Sequence, residues 1–388
     1  MGAATAKKLN IGLVGYQFMG KAHSNAYRQI ARFFPELGID PVLKVLCGRS
    51  EDKVKAAAEK FGFETYETDY EALCAREDID LIDVVTPGES HVPISIAAAK
   101  AGKMVFCEKP LANTVAQAQS MVDAVKSAGV PNAVCFNYRG IPALALAKRM
   151  IEDGRLGTVY HWRSVYLQDW IVDPNMPLVW RLQGDVAGSG ALGDLAAHSI
   201  DLARWLVGEV TEVNGMLDTF VKQRPLLAES DDRLGGKASD KMGQVTVDDS
   251  AIFTARFSDG AVGTFEATRM AAGRKNHHRI EINGSKGSVV FNMERMNELE
   301  FYSTEDAADA RGFRLIQTTD SEHPYTGAYW PVGHVIGYEH TFINLIRDML
   351  EAFDAGKPFS PSFADGLACQ KVLDAVSRSS ESRAWEAI

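Results

Sequence analysis

Three side chains in this sequence have the chemistry to move a proton and to stabilise charge on an oxygen. Lys109 lies in Glu108-Lys109-Pro110, directly after a short apolar run, where lysine is unusual because it prefers open solvent. Its ammonium can stabilise an alkoxide or hold a hydroxyl. Asp194 and His198 stand four residues apart, so on a helix both project from one face. A carboxylate beside an imidazole orients the ring and raises its basicity, which makes His198 a candidate general base. Taken alone, such a pair is more often a surface ion pair or a capping aspartate.

The elements that position Lys109 are predicted from alternating apolar and helical runs. Strands are expected at 9–15, 42–47, 79–85, 104–107 and 131–135, with helices at 21–33, 51–61, 90–101 and 114–128. Short apolar strands separated by helices form right-handed βαβ units and a parallel sheet. Such sheets bind ligands at the carboxyl ends of their strands, so the loops after the first four strands are the predicted place for chemistry.

The loop after the first strand suits a dinucleotide. It reads Gly15-Tyr16-Gln17-Phe18-Met19-Gly20, between a predicted strand and its helix. Glycines there permit a tight turn and let backbone amides approach a pyrophosphate at the helix N-terminus. Gln17 replaces the middle glycine of the usual G-x-G-x-x-G, so the motif alone is weak, but its strand-turn-helix context supports it. We therefore predict cofactor contacts by residues 15–19.

The following loops complete the predicted cofactor site. Gly48 stands where an NAD site usually has an acid for the ribose 2′-hydroxyl, whereas Arg49 and Ser50 suit the 2′-phosphate of NADP. Alternatively, Arg49 stacks on adenine or faces solvent, so NAD and NADP both stay open. The remaining expected cofactor contacts come from the loops after the third and fourth strands, at Thr86, Pro87, His91, Glu108 and Lys109.

The pattern changes after about residue 136 and predicts a second domain. A helix at 142–153 and a strand at 159–167 lead to a glycine-rich turn at 188–193 and a helix at 194–206. Alternating runs typical of an antiparallel sheet follow at 212–221, 245–257, 261–269, 278–283, 288–291 and 298–301, and helices at 337–355 and 363–379 close the chain. The polar stretch 229–243 is predicted to be a mobile loop. We expect a Rossmann domain over 1–135 and an α+β domain over 136–388, built on an open, mainly antiparallel sheet.

Composition excludes several partners. With 41 basic and 51 acidic residues the formal charge is −10 and no basic face is visible, which argues against nucleic acid and anionic lipid. The five cysteines are widely spaced, without a C-x-x-C pair or a Cys/His cluster, so reduced core thiols and no metal site are predicted. There is no apolar run of the roughly 18 residues that a membrane span needs, and the start is polar, so a cytoplasmic protein is expected.

Taken together, the motifs resemble one enzyme family. Glu108-Lys109-Pro110, then G-x-L-x-D-x-x-x-H ending in His198, with T-P-x-x-x-H upstream and a Rossmann start, are similar in order and spacing to the glucose–fructose oxidoreductase, inositol dehydrogenase and MocA (Gfo/Idh/MocA) family. The resemblance covers essentially the whole chain. It implies an NAD(P)-dependent oxidoreductase with Lys109, Asp194 and His198 as catalytic residues, assembled as a homodimer or homotetramer through its sheets. Gln17 departs from the family pattern.

The second domain contains the segments Phe136-Asn137-Tyr138-Arg139, Tyr166-Leu167-Gln168-Asp169-Trp170 and Trp180-Arg181. These segments resemble levoglucosan-type dehydrogenases of the same family, which oxidise the C3 hydroxyl of a pyranose. Aromatic rings stack on the apolar faces of a sugar, and polar groups bind its hydroxyls. The predicted substrate pocket consists of Asn137, Tyr166, Gln168, Asp169, Trp170 and Arg181, together with Lys109, Asp194 and His198. Each of the first six could equally be structural. The basic run 274–279 is either a solvated strand end or, with Arg163 or Arg181, a site for an anionic substituent.

The predicted reaction is oxidation of a secondary hydroxyl of a sugar or polyol such as an inositol. His198, oriented by Asp194, accepts the hydroxyl proton while Lys109 stabilises the oxygen and a hydride moves to the nicotinamide. One alternative is an NAD-dependent glycosidase that works by transient C3 oxidation, elimination and hydration with a retained cofactor. Another is a non-catalytic sugar or cofactor sensor, against which the three intact catalytic residues argue.

Overall fold

The structure, a computed structural model, describes residues 6–230 and 235–388 and divides into two compact units. The first unit runs to Asn137 and also takes in Tyr338–Gln370; the second comprises Tyr138–Gly337 and Lys371–Ile388. The first break falls two residues from the boundary expected at 135/136. Segment 338–370 was expected in the second domain, whereas the structure groups it with the first.

Both units mix strands and helices. In chain order, the strands of the described residues are β1 Lys7–Val14, β2 Ile39–Cys47, β3 Thr65–Glu67, β4 Leu81–Val84, β5 Met104–Cys107, β6 Asn132–Val134, β7 Val159–Leu167, β8 Val210–Asp218, β9 Gln223–Ser230, β10 Gly236–Gln244, β11 Ser250–Phe257, β12 Val262–Thr268, β13 His277–Gly284, β14 Gly287–Asn292, β15 Glu298–Ser303, β16 Arg314–Gln317 and β17 Glu386–Ala387. The α-helices of the same residues are α1 Phe18–Phe33, α2 Glu51–Phe61, α3 Tyr70–Ala75, α4 His91–Lys100, α5 Val115–Ala128, α6 Pro142–Glu152, α7 Gly184–Ala187, α8 Ala197–Leu206, α9 Glu339–Asp354 and α10 Phe363–Ser382.

The first unit contains the predicted parallel sheet. Its strand order is β3-β2-β1-β4-β5-β6, and every pairing is parallel. β4 is buried along its whole length, as expected for a strand covered on both faces, although it contains Asp83. The order reverses beside β1, so the carboxyl ends of β1 and β4 flank the point where such sheets bind ligands. The Rossmann prediction is confirmed; β3 and α3 are short and were not predicted.

Helix α9 belongs to the first unit because its apolar face covers α1. Phe342 lies 5.4 Å, centroid to centroid, from the ring of His23 on α1. The Arg347 guanidinium lies 5.5 Å from the ring of Phe34, which ends α1. Neither helix can bury its apolar stripe alone, so the folded sheet draws in this segment from far along the chain.

The second unit is built on a mostly antiparallel sheet, as predicted. In the described residues its order is β16-β15-β14-β13-β7-β12-β11-β8-β17, and only the β7–β12 pair is parallel. Along β11, buried and exposed residues alternate, the sign of a strand with one covered face. Helices α6 and α8 pack on that sheet. Its other face exposes four large apolar side chains, Met216, Ile252, Val262 and Trp385.

The polar stretch 229–243 is not a loop in the described residues, which corrects the prediction. β9 and β10 form an antiparallel ribbon, with Gln223 opposite Gln244 and Ser230 opposite Gly236. Positions 231–234 lie outside the described residues. The polar composition suggested mobility, but the pairing of backbone amides and carbonyls between strands does not depend on apolar side chains. A second difference is that the helix expected from Asp194 begins with a π turn, Leu192–Ala196, and becomes α-helical only at Ala197.

Candidate active site

The loop between β1 and α1 has the backbone that a dinucleotide needs. Gly15 has a φ of 114°, and a Cβ there would lie 2.9 Å from the carbonyl oxygen of Val85. A Cβ at Gly20 would collide with the carbonyl oxygen of Gly15. Both glycines are therefore required by the tight turn. Gln17, the departure from the motif, is exposed and makes no side-chain cap of α1. The loop thus fits a pyrophosphate despite the missing glycine.

The carboxyl end of β2 is shaped by Tyr16. Its ring lies so close to Gly48 that a Cβ at that position would collide with it. A side chain at Gly48 would therefore require the Tyr16 ring to move. Arg49 is exposed, and Ser50 precedes α2 without capping it through its side chain.

His91 joins the two loops that follow β4 and β5. It is buried, and its ring nitrogens lie 2.8 Å from the carbonyl oxygen of Thr86 and 3.0 Å from that of Pro110. Burial lowers the pKa of His91, although the two backbone carbonyls oppose the shift. His91 thus supports the loops that carry Thr86, Pro87 and Lys109.

A buried charge network fixes the segment before Lys109. The ring nitrogens of His23 lie 2.8 Å from Oδ2 of Asp83 and 3.0 Å from Oε1 of Glu108. The other oxygen of Glu108, Oε2, accepts the Lys109 amide at 3.0 Å. Both ring nitrogens face carboxylates, so His23 donates twice and carries a charge. The backbone around Lys109 is therefore restrained by two contacts: Glu108 accepts the Lys109 amide, and His91 contacts the carbonyl oxygen of Pro110.

The charge of His23 is stable because two carboxylates surround it. Burial opposes protonation, but Asp83 and the neighbouring groups outweigh it and hold the pKa of His23 well above its usual value. Burial would likewise raise the pKa of Glu108, yet the hydrogen bond and charge of His23 lower it. Potential metal-ligand atoms of His23, Glu108 and Cys135 lie within 4.8 Å of one another. The doubly protonated ring accounts for both carboxylate contacts. The five cysteines are free and buried, as predicted.

In the second unit, Asp248 shapes the turn that carries Asp194. Its two carboxylate oxygens accept the amides of Gly190 and Leu192 at 2.7 and 2.8 Å. A Cβ at Gly190 would collide with the carbonyl oxygen of Asp248, so this close approach requires glycine. The capped turn continues as the π turn that contains Asp194, and π turns are frequent at functional sites. Asp248 was not predicted from the sequence.

His198 lies on α8 and is only 5% exposed. The ring of Tyr138 stacks on it, with centroids 4.0 Å apart and planes 16° from parallel. The hydroxyl of Tyr138 lies 2.5 Å from that of Tyr166. Since the Tyr166 hydroxyl donates to Asn276 Oδ1 at 2.8 Å, the proton between the two tyrosines comes from Tyr138. A chain of aromatic contacts and hydroxyl groups therefore fixes the plane of the His198 ring.

A second histidine supports the same aromatic group from behind. His278 is fully buried and stacks on Tyr166, with centroids 4.4 Å apart. Its Nε2 lies 3.2 Å from the Ser164 hydroxyl and 3.0 Å from that of Ser199. Burial, helped by repulsion from His277, lowers the pKa of His278 to about 3. His278 is thus a neutral core residue rather than part of a basic patch.

The predicted sugar-binding residues differ in what they contact. Gln168 donates to Asn276 at 2.8 Å, and Asp169 receives Lys275 at 2.7 Å. Trp170 packs on a cluster of buried apolar residues in the second unit. The Arg181 guanidinium lies over the ring of Trp180. In the first unit, Asn137 is buried, and its amide donates to Thr341 of α9 at 2.8 Å.

The basic run 274–279 is largely neutralised by carboxylates. Asp169 pairs with Lys275, Glu294 with Arg274 and His277, and Glu281 with Arg279. Arg163, which was considered with this run, lies 3.6 Å from Glu281. These pairs argue against an anion site, and the burial of His277 and His278 shows that the run is only partly solvated.

Two further residues near the candidate catalytic groups, Asp83 and Arg269, were not predicted from the sequence. Asp83 was visible as a single acid inside a buried strand, a position that demands a partner. Arg269, directly after β12, is fully buried, and its NH1 lies 3.7 Å from Oδ2 of Asp194. In the sequence, Arg269 is only an arginine at the end of an alternating strand pattern, which does not reveal its burial. Their partners lie far away in the sequence.

Comparison with known proteins agrees with this arrangement. Residues 9–136 match the model of an oxidoreductase family with an NAD-binding Rossmann fold, and residues 144–290 match the GFO/IDH/MocA C-terminal domain. The chain is 46% identical over 383 residues to the levoglucosan dehydrogenase of Pseudarthrobacter phenanthrenivorans, with 98% of each chain covered. The chain belongs to the Gfo/Idh/MocA oxidoreductase family.

Other relatives of this Gfo/Idh/MocA protein agree with that assignment. The myo-inositol 2-dehydrogenase of Thermotoga maritima is 29% identical, covering 79% of this chain and 81% of its own. Among solved structures, a levoglucosan dehydrogenase in complex with NADH and levoglucosan is 44% identical with a TM-score of 0.93, covering 98% of this chain and 100% of its own. An oxidoreductase domain protein from Kribbella flavida is 52% identical with a TM-score of 0.93, covering 98% and 99%. The first unit is thus an NAD-binding domain, and its loops fit that cofactor.

Proposed function

We propose that this enzyme oxidises the C3 hydroxyl of a neutral pyranose or anhydro-sugar of the levoglucosan type, with NAD as the hydride acceptor. The observation that carries the proposal is the full-length likeness to levoglucosan dehydrogenase together with an intact Lys109, Asp194 and His198. Hydrogen bonds restrain the Lys109 amide and the turn that carries Asp194, and stacking on Tyr138 restrains the His198 ring. This is what a site needs when small displacements cost rate.

The residues divide the reaction among them. His198 accepts the proton of the sugar hydroxyl through its imidazole, whose plane is set by Tyr138. Asp194 stabilises the imidazolium that forms, and Lys109 stabilises negative charge on the reacting oxygen. NAD, when bound, supplies the nicotinamide carbon that takes the hydride. Gly15, Gly20 and the first turn of α1 hold its pyrophosphate.

The sugar is proposed to be neutral. Gln168, Asp169, Trp170 and Arg181 supply an aromatic face with amide, carboxylate and guanidinium groups, which suits hydroxyls. Tyr166 and Asn137 are buried, so we propose that they position neighbouring groups instead of contacting the sugar directly. The cations of the run 274–279 are paired with carboxylates, so an anionic substituent would have to displace them.

The redox glycosidase and the sensor are less well supported. Three of the relatives above are named as dehydrogenases, and one of these was solved with NADH and levoglucosan. A dehydrogenase accumulates NADH and a keto-sugar, whereas a glycosidase with retained cofactor does not. Following NADH absorbance and aglycone release together, for glycosides and inositols, separates the two activities.

Substitution of Lys109 is the direct test of the proposed roles. Lys109→Ala and His198→Asn should each lower kcat for levoglucosan by about 100-fold to 10,000-fold, because each removes charge stabilisation or proton transfer. NADH affinity, measured by fluorescence titration, should change little. Lys100→Ala on α4, an exposed lysine of the same unit, is the matched control and should keep wild-type turnover. Wild-type kcat in Lys109→Ala would remove the lysine from the mechanism.

The state and compartment of the enzyme are proposed as follows. The face of the second-unit sheet that exposes Met216, Ile252, Val262 and Trp385 is apolar enough to pair with a second copy, giving a homodimer or homotetramer. Light scattering of the purified protein measures this oligomeric state.

Five reduced thiols and the need for NAD suit the cytoplasm. Among the described residues, no helix has the length and apolarity that crossing a membrane requires.

A further inference from the structure

A fully buried arginine lies beside the carboxylate of Asp194. Arg269 follows β12 directly and has no exposed surface. Its NH1 lies 3.7 Å from Oδ2 of Asp194, whose side chain keeps 30% of its surface exposed. All of these groups belong to the second unit. The guanidinium is therefore the buried half of an ion pair whose other half faces outwards.

The same guanidinium ties together the segments on either side of Asp194. NH2 donates to the carbonyl oxygen of Asp248, the residue that caps the turn carrying Asp194, at 3.2 Å. NH1 donates to the carbonyl oxygen of Arg181 at 3.3 Å, and the carbon of the guanidinium lies 5.4 Å from the centroid of the Trp170 ring. Arg269 thus contacts the turn of Asp194 and two segments proposed to bind the sugar.

Simple packing does not account for this residue. Within the described part of the chain, Nε of Arg269 is buried without a hydrogen-bond partner, which destabilises the fold. Replacing a buried charge by an apolar side chain of similar size is often neutral or stabilising. Among the described residues, the fully buried Arg224 also has an Nε without a hydrogen-bond partner, so the feature that distinguishes Arg269 is its ion pair with Asp194.

We propose that Arg269 is a positioning residue for catalysis, holding Asp194 ionised and in place so that the carboxylate can support His198. This inference rests on the proposed function, because it assigns Arg269 a role through Asp194. The guanidinium does not touch the substrate. It opposes protonation of the nearby carboxylate and limits the positions that the carboxylate can take.

The test removes the guanidinium and then supplies it from solution. Arg269→Ala should lower kcat for levoglucosan by about 100-fold, the lower end of the range for loss of general base assistance, with a smaller change in KM and no change in NADH affinity. Millimolar guanidinium should raise the kcat of Arg269→Ala at least tenfold, whereas sodium chloride at equal ionic strength should not. Arg269→Lys should keep more activity than Arg269→Ala, since it retains a positive charge.

Arg224 is the matched control. It is also fully buried in the second unit and donates to two carbonyl oxygens, those of Ile171 and Asp173. Arg224→Ala should lower the melting temperature about as much as Arg269→Ala, but leave kcat within about threefold of wild type. Equal losses of kcat in the two variants, without rescue by guanidinium, would show that Arg269 is only structural and would overturn the proposal.

A double-mutant cycle separates this inference from the proposed function. Asp194→Asn should lower kcat strongly, and Arg269→Ala in that background should add little, because the residue through which it acts is already neutral. If the fold losses in kcat of the two single variants multiplied in the double variant, the role of Arg269 would be overturned while Asp194 stayed catalytic. Unchanged kcat in Asp194→Asn would instead contradict the proposed function itself.

Discussion

At the scale of single residues, the second unit fixes its candidate base through aromatic rings. Tyr138 stacks on His198, and its hydroxyl joins Tyr166, which in turn stacks on His278. Every ring in this group is buried or nearly so, and the outermost partner is an amide oxygen of Asn276. Packing behind the ring therefore restrains the orientation of the candidate base.

His278 makes a prediction about pH. Its pKa is about 3 in the folded protein and about 6.5 in an unfolded chain, so the unfolded chain takes up a proton first as pH falls. The stability contributed by the neutral ring is present above about pH 6.5 and lost as pH falls towards 3. Between about pH 7 and pH 5, wild type should lose about 2 kcal/mol more unfolding free energy than His278→Gln.

Denaturant unfolding at the two pH values measures this difference. His161→Gln, which removes an exposed histidine of the same unit, should keep the pH dependence of wild type. If wild type and His278→Gln lost equal stability on acidification, His278 would not be a neutral buried group.

At the scale of elements, a capped turn and a buried ion network place the two candidate catalytic segments. Asp248 caps the turn before α8, and His23 on α1 bridges β4 to the end of β5 through Asp83 and Glu108. Both sets of hydrogen bonds join segments that are distant in sequence. A local helix propensity would produce the helix but not its position against the sheet.

The cap is testable because a neighbouring aspartate has the same chemistry without the same position. Asp248→Ala loses two amide hydrogen bonds at the turn of Asp194 and should destabilise the second unit by about 1–3 kcal/mol and lower kcat about tenfold or more. Asp249→Ala also loses two hydrogen bonds, which its carboxylate accepts from the backbone amides of Phe220 and Val221. It should lose similar stability, measured by denaturation, with kcat near wild type. Similar kcat values in the two variants would argue against a role of the cap in catalysis.

At the scale of the whole molecule, the NAD-binding unit is discontinuous in sequence. Segment 338–370 returns to it and lays α9 against α1, with Asn137, Lys7 and Phe34 bound to Thr341, Asp354 and Arg347. An amino-terminal fragment lacks this cover and would expose the apolar face of α1.

Two fragments test that dependence. Residues 1–137 alone should aggregate or fold poorly and bind NADH weakly, because burial lost with α9 is a large part of a marginal free energy of unfolding. The same fragment joined by a flexible linker to 338–370 should be soluble, with cooperative thermal unfolding and measurable NADH binding. A well-folded 1–137 fragment with full NADH affinity would contradict this view.

Most of the fold follows from local sequence patterns. Strands β5 and β7 and helix α2 have the bounds that were predicted, because apolar periodicity and end signals act within a few residues. The ribbon of β9 and β10 was missed because its stability comes from cross-strand backbone pairing, which polar composition conceals. The π turn at Asp194 was missed because Asp248, which caps its start, is distant in sequence.

The amino-acid order by itself determined the fold class, the glycines of the NAD loop and the identities of Lys109, Asp194 and His198, since each of these is encoded in residue type and short spacing. Only the tertiary structure decided that His23 is a charged link between two acids, that His278 is neutral, that 338–370 belongs to the NAD-binding unit and that Arg269 faces Asp194. The physical reason is that charge state and contact depend on which groups burial brings together, and residues far apart in the chain carry no spacing that records it.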